Sequence, residues 1–130
     1  MSTEANKQVV VSFFENLSAG RVEAALALMA DSAIWLAPGH FELSGPKTKA
    51  QFVELLGMMG TAMPKGMRLT IKSVTAEADR VSVEAESYGE LTNGKVYNNQ
   101  YHFLVEVRER KIQNIREYAD TLHARQTFIE

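Results

Sequence analysis

The chain has 130 residues, 45% of them apolar and 23% charged, with 14 basic against 16 acidic side chains for a net charge of −2. That size suits one domain, residues 1–130, with a real core, and the composition is that of neither a disordered chain nor a membrane protein. Without a basic stripe, the counterion release that drives nucleic-acid binding has little to act on, and the absence of cysteine excludes disulfides, thiolate nucleophiles and thiolate metal sites. No apolar run reaches the roughly 20 residues that cross a bilayer, and the start MSTEANKQ has no signal-peptide pattern, so the expected location is cytoplasmic, away from membranes.

From Lys7 to Ser18, Val10, Phe13, Phe14 and Leu17 recur at helical spacing, and Gly20 supplies a stop. A second, shorter stripe of Val22, Ala25, Leu26 and Met29 follows, closed by Asp31-Ser32 as a turn. The run Ala33 to Leu36, bounded by Pro38-Gly39, is too brief for a helix and suits a buried strand, with a further stub at Phe41 to Leu43. Ser44-Gly-Pro46 opens a third helix with Phe52, Leu55, Leu56 and Met59 on its apolar face.

Beyond Pro64 the period becomes two. Leu69, Ile71 and Val74 alternate with polar residues, and Val81, Val83 and Ala85 do so again after a turn at Ala78-Asp79. Asn93-Gly94 marks a tight hairpin, because these residues tolerate the positive φ such turns need; a long strand from Val96 to Val107 and a last one from Ile112 to Tyr118 follow. Helices followed by hairpin-linked strands predict an α+β fold: three N-terminal helices against a curved, antiparallel-rich sheet, with a pocket for a small apolar molecule between the layers.

The segment Leu91-Thr-Asn-Gly-Lys-Val-Tyr-Asn-Asn-Gln-Tyr-His-Phe103, with Lys111-Ile and Ile115-Arg-Glu-Tyr-Ala-Asp-Thr-Leu-His123, resembles SnoaL-like proteins of the nuclear-transport-factor-2-like superfamily. Ala19-Gly-Arg21 and Met29-Ala-Asp31 add to the likeness. The resemblance implies a conical α+β barrel with a deep pocket and a homodimer paired through the outer sheet face. Its members include isomerases, epoxide hydrolases and polyketide cyclases, so fold alone does not choose an activity.

Ketosteroid isomerases of this superfamily use a carboxylate before a proline, a tyrosine on the first helix and a carboxylic acid on the long strand. The matching positions here are Ala37, Phe13 and Phe103, none of which can move a proton or donate to an oxyanion. The limonene-epoxide-hydrolase pattern, aligned on the Gly94 hairpin, carries its arginine onto Glu84 and its two aspartates onto Glu86 and Glu117; its tyrosine and asparagine become Trp35 and Ala37.

Alternation puts Glu84, Glu86 and Tyr88 on one face of their strand and Val81, Val83 and Ala85 on the other. Composition favours the valines as core. The family alignment reverses this, turning Glu84, Glu86 and Tyr88 to the pocket and leaving the valine face to a partner subunit. On that reading Glu117 and Glu86 form a catalytic acid–base pair, with Trp35, Phe13, Glu84, Tyr88, Phe52 and Leu56 around the ligand. Neither a cofactor nor a metal is expected: Asp120 and His123, even with His40, are weak ligand candidates, and a tail contact network explains them as well. Two functions stay open, a cofactor-independent isomerase, hydrolase or cyclase and a non-catalytic ligand-binding or dimerisation module.

Overall fold

The computed structural model describes residues 2–130. Helix α1 (Thr3–Ser18) is started by Ser2, whose hydroxyl accepts the Ala5 N–H at 3.1 Å, and it buries Asn6, Val10, Phe13 and Phe14 along one stripe. A short α2 (Val22–Leu26) leads into β1 (Met29–Ala37). Asp31-Ser32, expected as a turn, lies instead within β1, where the register with its neighbour slips between Met29 and Ile34. The two polar residues occupy a bulge that lets the strand bend without ending.

Strand β2 is Gly45–Thr48, not the stub at Phe41 to Leu43, and α3 (Lys49–Ala62) starts after it rather than at Ser44. The reason is a capping box. Thr48 Oγ1 accepts the Gln51 N–H at 3.2 Å, and Gln51 Oε1 accepts the Thr48 N–H at 2.9 Å, so the first helical turn begins there and Gly45 to Lys47 are left extended.

Strands β3 (Met67–Glu77), β4 (Arg80–Glu90), β5 (Val96–Tyr97), β6 (Gln100–Arg108) and β7 (Lys111–Ala119) follow, and the expected single long strand from Val96 is broken at Asn98-Asn99 into β5 and β6. The chain ends in a fourth helix, α4 (Thr121–Phe128), where the sequence reading has only a tail. Asp120 starts it by accepting the His123 N–H at 3.1 Å.

The sheet order is β2-β1-β7-β6-β4-β3, with β5 added beside β4. All pairings are antiparallel except β1 with β7, so the sheet is curved, open and antiparallel-rich, as expected. Its concave face carries Trp35, Val81, Val83, Ala85, Phe103, Val105 and Ile115, all buried, and α1 inserts Val10, Phe13 and Phe14 against them. The valine face of β4 is therefore covered by the chain's own first helix and not by a partner subunit. A helix with so continuous an apolar stripe needs a sheet face to bury it, and this one is adjacent. No helix is long and apolar enough to cross a membrane among the described residues.

Candidate functional site

The helices cover the concave face incompletely. Between the sheet and the ends of α1, α3 and α4 lies a cavity of about 460 Å³, within the size range of small-molecule sites. Its walls are mostly apolar: Phe14 and Leu17 from α1, Phe52, Leu56 and Met59 from α3, Trp35 from β1, Phe103 from β6 and Phe128 from α4. Trp35 stacks on Phe52 with centroids 4.3 Å apart and an interplanar angle of 13°, which fixes the indole plane. On the β4 side, Gly89 leaves room for Met63. A Cβ there would press on the Met63 thioether, so a larger residue at this position would have to push that flexible side chain aside.

Two ionisable side chains of opposite sign enter this apolar space. Glu117 stands on the inward face of β7, opposite Phe103 of β6. The residue lines the cavity and keeps intermediate accessibility, while burial pushes its pKa up. The Trp35 indole N–H, donated to Oε1 at 3.1 Å, and the charge of Lys47 oppose that rise. Among the described residues no other group hydrogen-bonds the carboxyl, so Oε2 is left to the cavity. Lys47 lies on β2 opposite Trp35 and also lines the cavity; burial lowers its pKa, and the charge of Glu117 opposes that. Its ammonium donates to the Leu43 carbonyl at 2.6 Å.

A polar cluster sits beside them. Tyr97 of β5 and Tyr101 of β6 line the cavity with their hydroxyl oxygens 2.9 Å apart. Tyr101 Oη is also 3.2 Å from Ser87 Oγ. Asn99, buried between β5 and β6, anchors the group: its side-chain amide donates to Tyr97 Oη at 3.0 Å, and its backbone N–H donates to Ser87 Oγ at 3.0 Å. Burial pushes the pKa of both tyrosines up, so the phenols keep their protons.

The sequence-expected residues divide between the two sides of the sheet. Glu117, Trp35, Phe52 and Leu56 meet at the cavity. Phe13 does not line it. The ring is fully buried behind the wall, 5.1 Å from Phe14 and 6.2 Å from Trp35, and Phe14 takes the lining position.

Glu84, Glu86 and Tyr88 are on the outer face. Glu84 accepts a hydrogen bond from Ser73 at 2.7 Å, Glu86 accepts one from Asn98 at 2.9 Å and pairs with Lys72 at 3.1 Å, and Tyr88 lies under Arg68. Hydrogen bonds from Asn98 and Lys72 pull the Glu86 pKa down. The Glu86–Glu117 pair therefore does not form: β4 buries its odd-numbered residues, and an offset of one residue exchanges faces.

Lys47, Tyr97 and Tyr101 are the cavity groups that sequence reasoning did not single out as site residues. The alternation of Tyr101, Phe103 and Val105 was a usable signal for Tyr101. Asp120 caps α4, and His123 Nε2 accepts the Asn98 N–H at 3.0 Å while its ring stacks on Tyr97.

An open α+β cone around an apolar cavity defines the NTF2-like class of folds. Residues 10–115 match the model of the SnoaL-like domain, and the chain belongs to that family. An NTF2-like protein from Burkholderia xenovorans LB400 is 28% identical, with 98% of each chain covered and a TM-score of 0.78. TerC, crystallised with polyporic acid, is 21% identical over 95% of this chain and 97% of its own, with a TM-score of 0.81. Bal32a, from a soil-derived mobile gene cassette, is 19% identical over 97% of this chain and 98% of its own, with a TM-score of 0.87. The last two likenesses show the fold alone. Comparison with the curated proteins gives no match.

Proposed function

We propose that the protein is a cofactor-independent acid–base enzyme, of the isomerase, hydrolase or cyclase kind, acting on a small and mostly apolar metabolite in this cavity. The observation that carries the reading is Glu117: a carboxyl in an apolar wall, one oxygen held by Trp35 and the other facing the space a ligand would fill. Burial raises its pKa, which makes the carboxylate a stronger base than an exposed one and lets a single group take and return a proton. Lys47 balances its charge. The co-crystal of TerC with polyporic acid supports the use of such a fold to hold a small molecule.

The test is proton exchange. Small apolar compounds with acidic C–H bonds are incubated with the protein in heavy water and followed by NMR. Glu117→Gln is expected to slow the catalysed exchange about 100-fold or more. Equal exchange rates in the variant and the parent would overturn the assignment.

A second reading, a ligand-binding module without turnover, is favoured by one observation: Glu117 has no carboxylate partner, because Glu86 lies on the other face. Tight ligand binding with no exchange would select it. We place homodimer formation on the outer sheet face, where Tyr88 and Tyr118 are exposed, and native mass spectrometry reads that state directly.

A further inference from the structure

The polar cluster beside Glu117 has one proton more than it can use. Asn99 fixes the count. Its Oδ1 accepts the N–H groups of Gln100 at 2.8 Å and Asp120 at 3.1 Å, so its Nδ2 is the donor, giving one hydrogen to the Asp120 carbonyl at 3.1 Å and the other to Tyr97 Oη. Ser87 Oγ already accepts the Asn99 backbone N–H.

The three hydroxyls of Ser87, Tyr101 and Tyr97 then carry three hydrogens, but only two oxygen–oxygen contacts join them, at 3.2 Å and 2.9 Å. Each contact uses one hydrogen. Among the described residues these oxygens make no other hydrogen bond, so one hydroxyl hydrogen is always left over. Were it the one on Ser87, which is fully buried and does not line the cavity, a donor would be stranded in the protein interior at a cost that the alternatives avoid. If Ser87 donates to Tyr101, the spare hydrogen belongs to Tyr97 or Tyr101, and both line the cavity.

We propose that this spare phenolic O–H is a binding site for a carbonyl oxygen, and hence that the cavity takes an apolar ketone. A spare donor in an otherwise apolar wall selects a ligand that brings an acceptor. The inference rests on the reading of this cavity as the ligand site but does not require Glu117 to act as a base. Tyr101 is two residues from Phe103, which pairs with Glu117, so the donor and the carboxyl are diagonal neighbours on adjacent strands. A carbonyl on the tyrosines therefore brings its adjacent carbon toward Glu117. The raised pKa of both phenols keeps them as donors.

The test uses naphthyl methyl ketone, isotopically labelled at its carbonyl, and its carbon isostere isopropenylnaphthalene. Each single substitution leaves one phenol with a free hydrogen, so the decisive variant is the double one, Tyr97→Phe with Tyr101→Phe. The ketone is expected to bind about fivefold more weakly to the double variant, with the isostere unaffected, and its C=O stretching frequency in the parent protein is expected to fall below the value in hexane and to return toward it in the variant. Should the double variant not fold, the frequency in the parent protein still judges the proposal, since a hexane-like value overturns it. Failure of the ketone to bind at all also overturns it. In Glu117→Gln the lowered frequency is expected to persist even though exchange is lost, which separates this donor from the proton-transfer reading.

Discussion

Glu86 and Glu117 are the same residue type in one sheet, and they live in opposite physical worlds. Glu86 is on the convex face, where Asn98 and Lys72 hydrogen-bond it and favour its charged form. Glu117 is on the concave face, where burial favours the neutral form and only the Trp35 N–H and the more distant Lys47 resist. The difference is set by strand parity, which turns alternate residues to alternate faces. A carboxylate on the outer face keeps its charge in water, and on the inner face burial shifts it toward holding its proton.

The sharpest way to break this comparison is to exchange the faces. Val83→Glu puts a charge where Val83 is fully buried, with an expected loss of about 4 kcal/mol or more and aggregation or unfolding at ambient temperature. Glu84→Val, one residue away on the outer face, is expected to change stability by only about 0.5 kcal/mol. Urea denaturation of the two variants reads both values; equal losses would mean that the two faces are not distinct.

The two glutamates should also give opposite pH slopes. In the folded protein Glu117 holds its proton to higher pH than in the unfolded chain, so its stabilising contribution is complete below the ordinary value of 4.5 and is lost as pH rises through the raised folded value. Glu86 runs the other way: its contribution is present above 4.5 and is lost as pH falls through its lowered folded value. Glu117→Gln is therefore expected to remove a decline in stability above pH 4.5, and Glu86→Gln to flatten only the acid limb. Urea midpoints measured from acid to neutral pH decide it.

A smaller effect is expected from Trp35→Phe, which keeps an aromatic ring against Phe52 but deletes the donor to Glu117. The expected cost is about 1–2 kcal/mol, and the Glu117 titration, followed by carboxyl NMR, should move further up. A titration that stays in place would show that the indole N–H does not tune the carboxyl.

Much of this was legible in the sequence, for definite reasons. The period-two runs of β3, β4 and β6 and the helical stripe of α1 are strong signals because each element buries one face. The inward Glu117 and Trp35 were readable from the strand patterns together with the family resemblance.

Glu86 was misplaced because alignment on a hairpin conserves spacing but carries no information on which face a residue occupies; the plain apolar alternation of Val81, Val83 and Ala85 was the better guide. Lys47 was missed because Pro46 looked like the first turn of a helix, whereas Thr48 and Gln51 already spelled the capping box that starts it later. The proton imbalance at Tyr97 and Tyr101 depends on Asn99, Ser87 and Asp120 meeting across three strands and a helix start, and no linear pattern announces such a meeting.

The parallel pairing of β1 with β7 has a kinetic consequence. Trp35 and Glu117 touch across a sequence separation of 82 residues, so the hydrogen bond that orients the carboxyl closes a long loop of the chain. Contacts of that separation are slow to form, because the chain's freedom must be surrendered before they reward it. The hairpins of β3, β4 and β6 can assemble first without any cavity chemistry in place. The Glu117 wall of the cavity is then a late part of the fold, completed only when the earliest strand of the sheet docks beside the last.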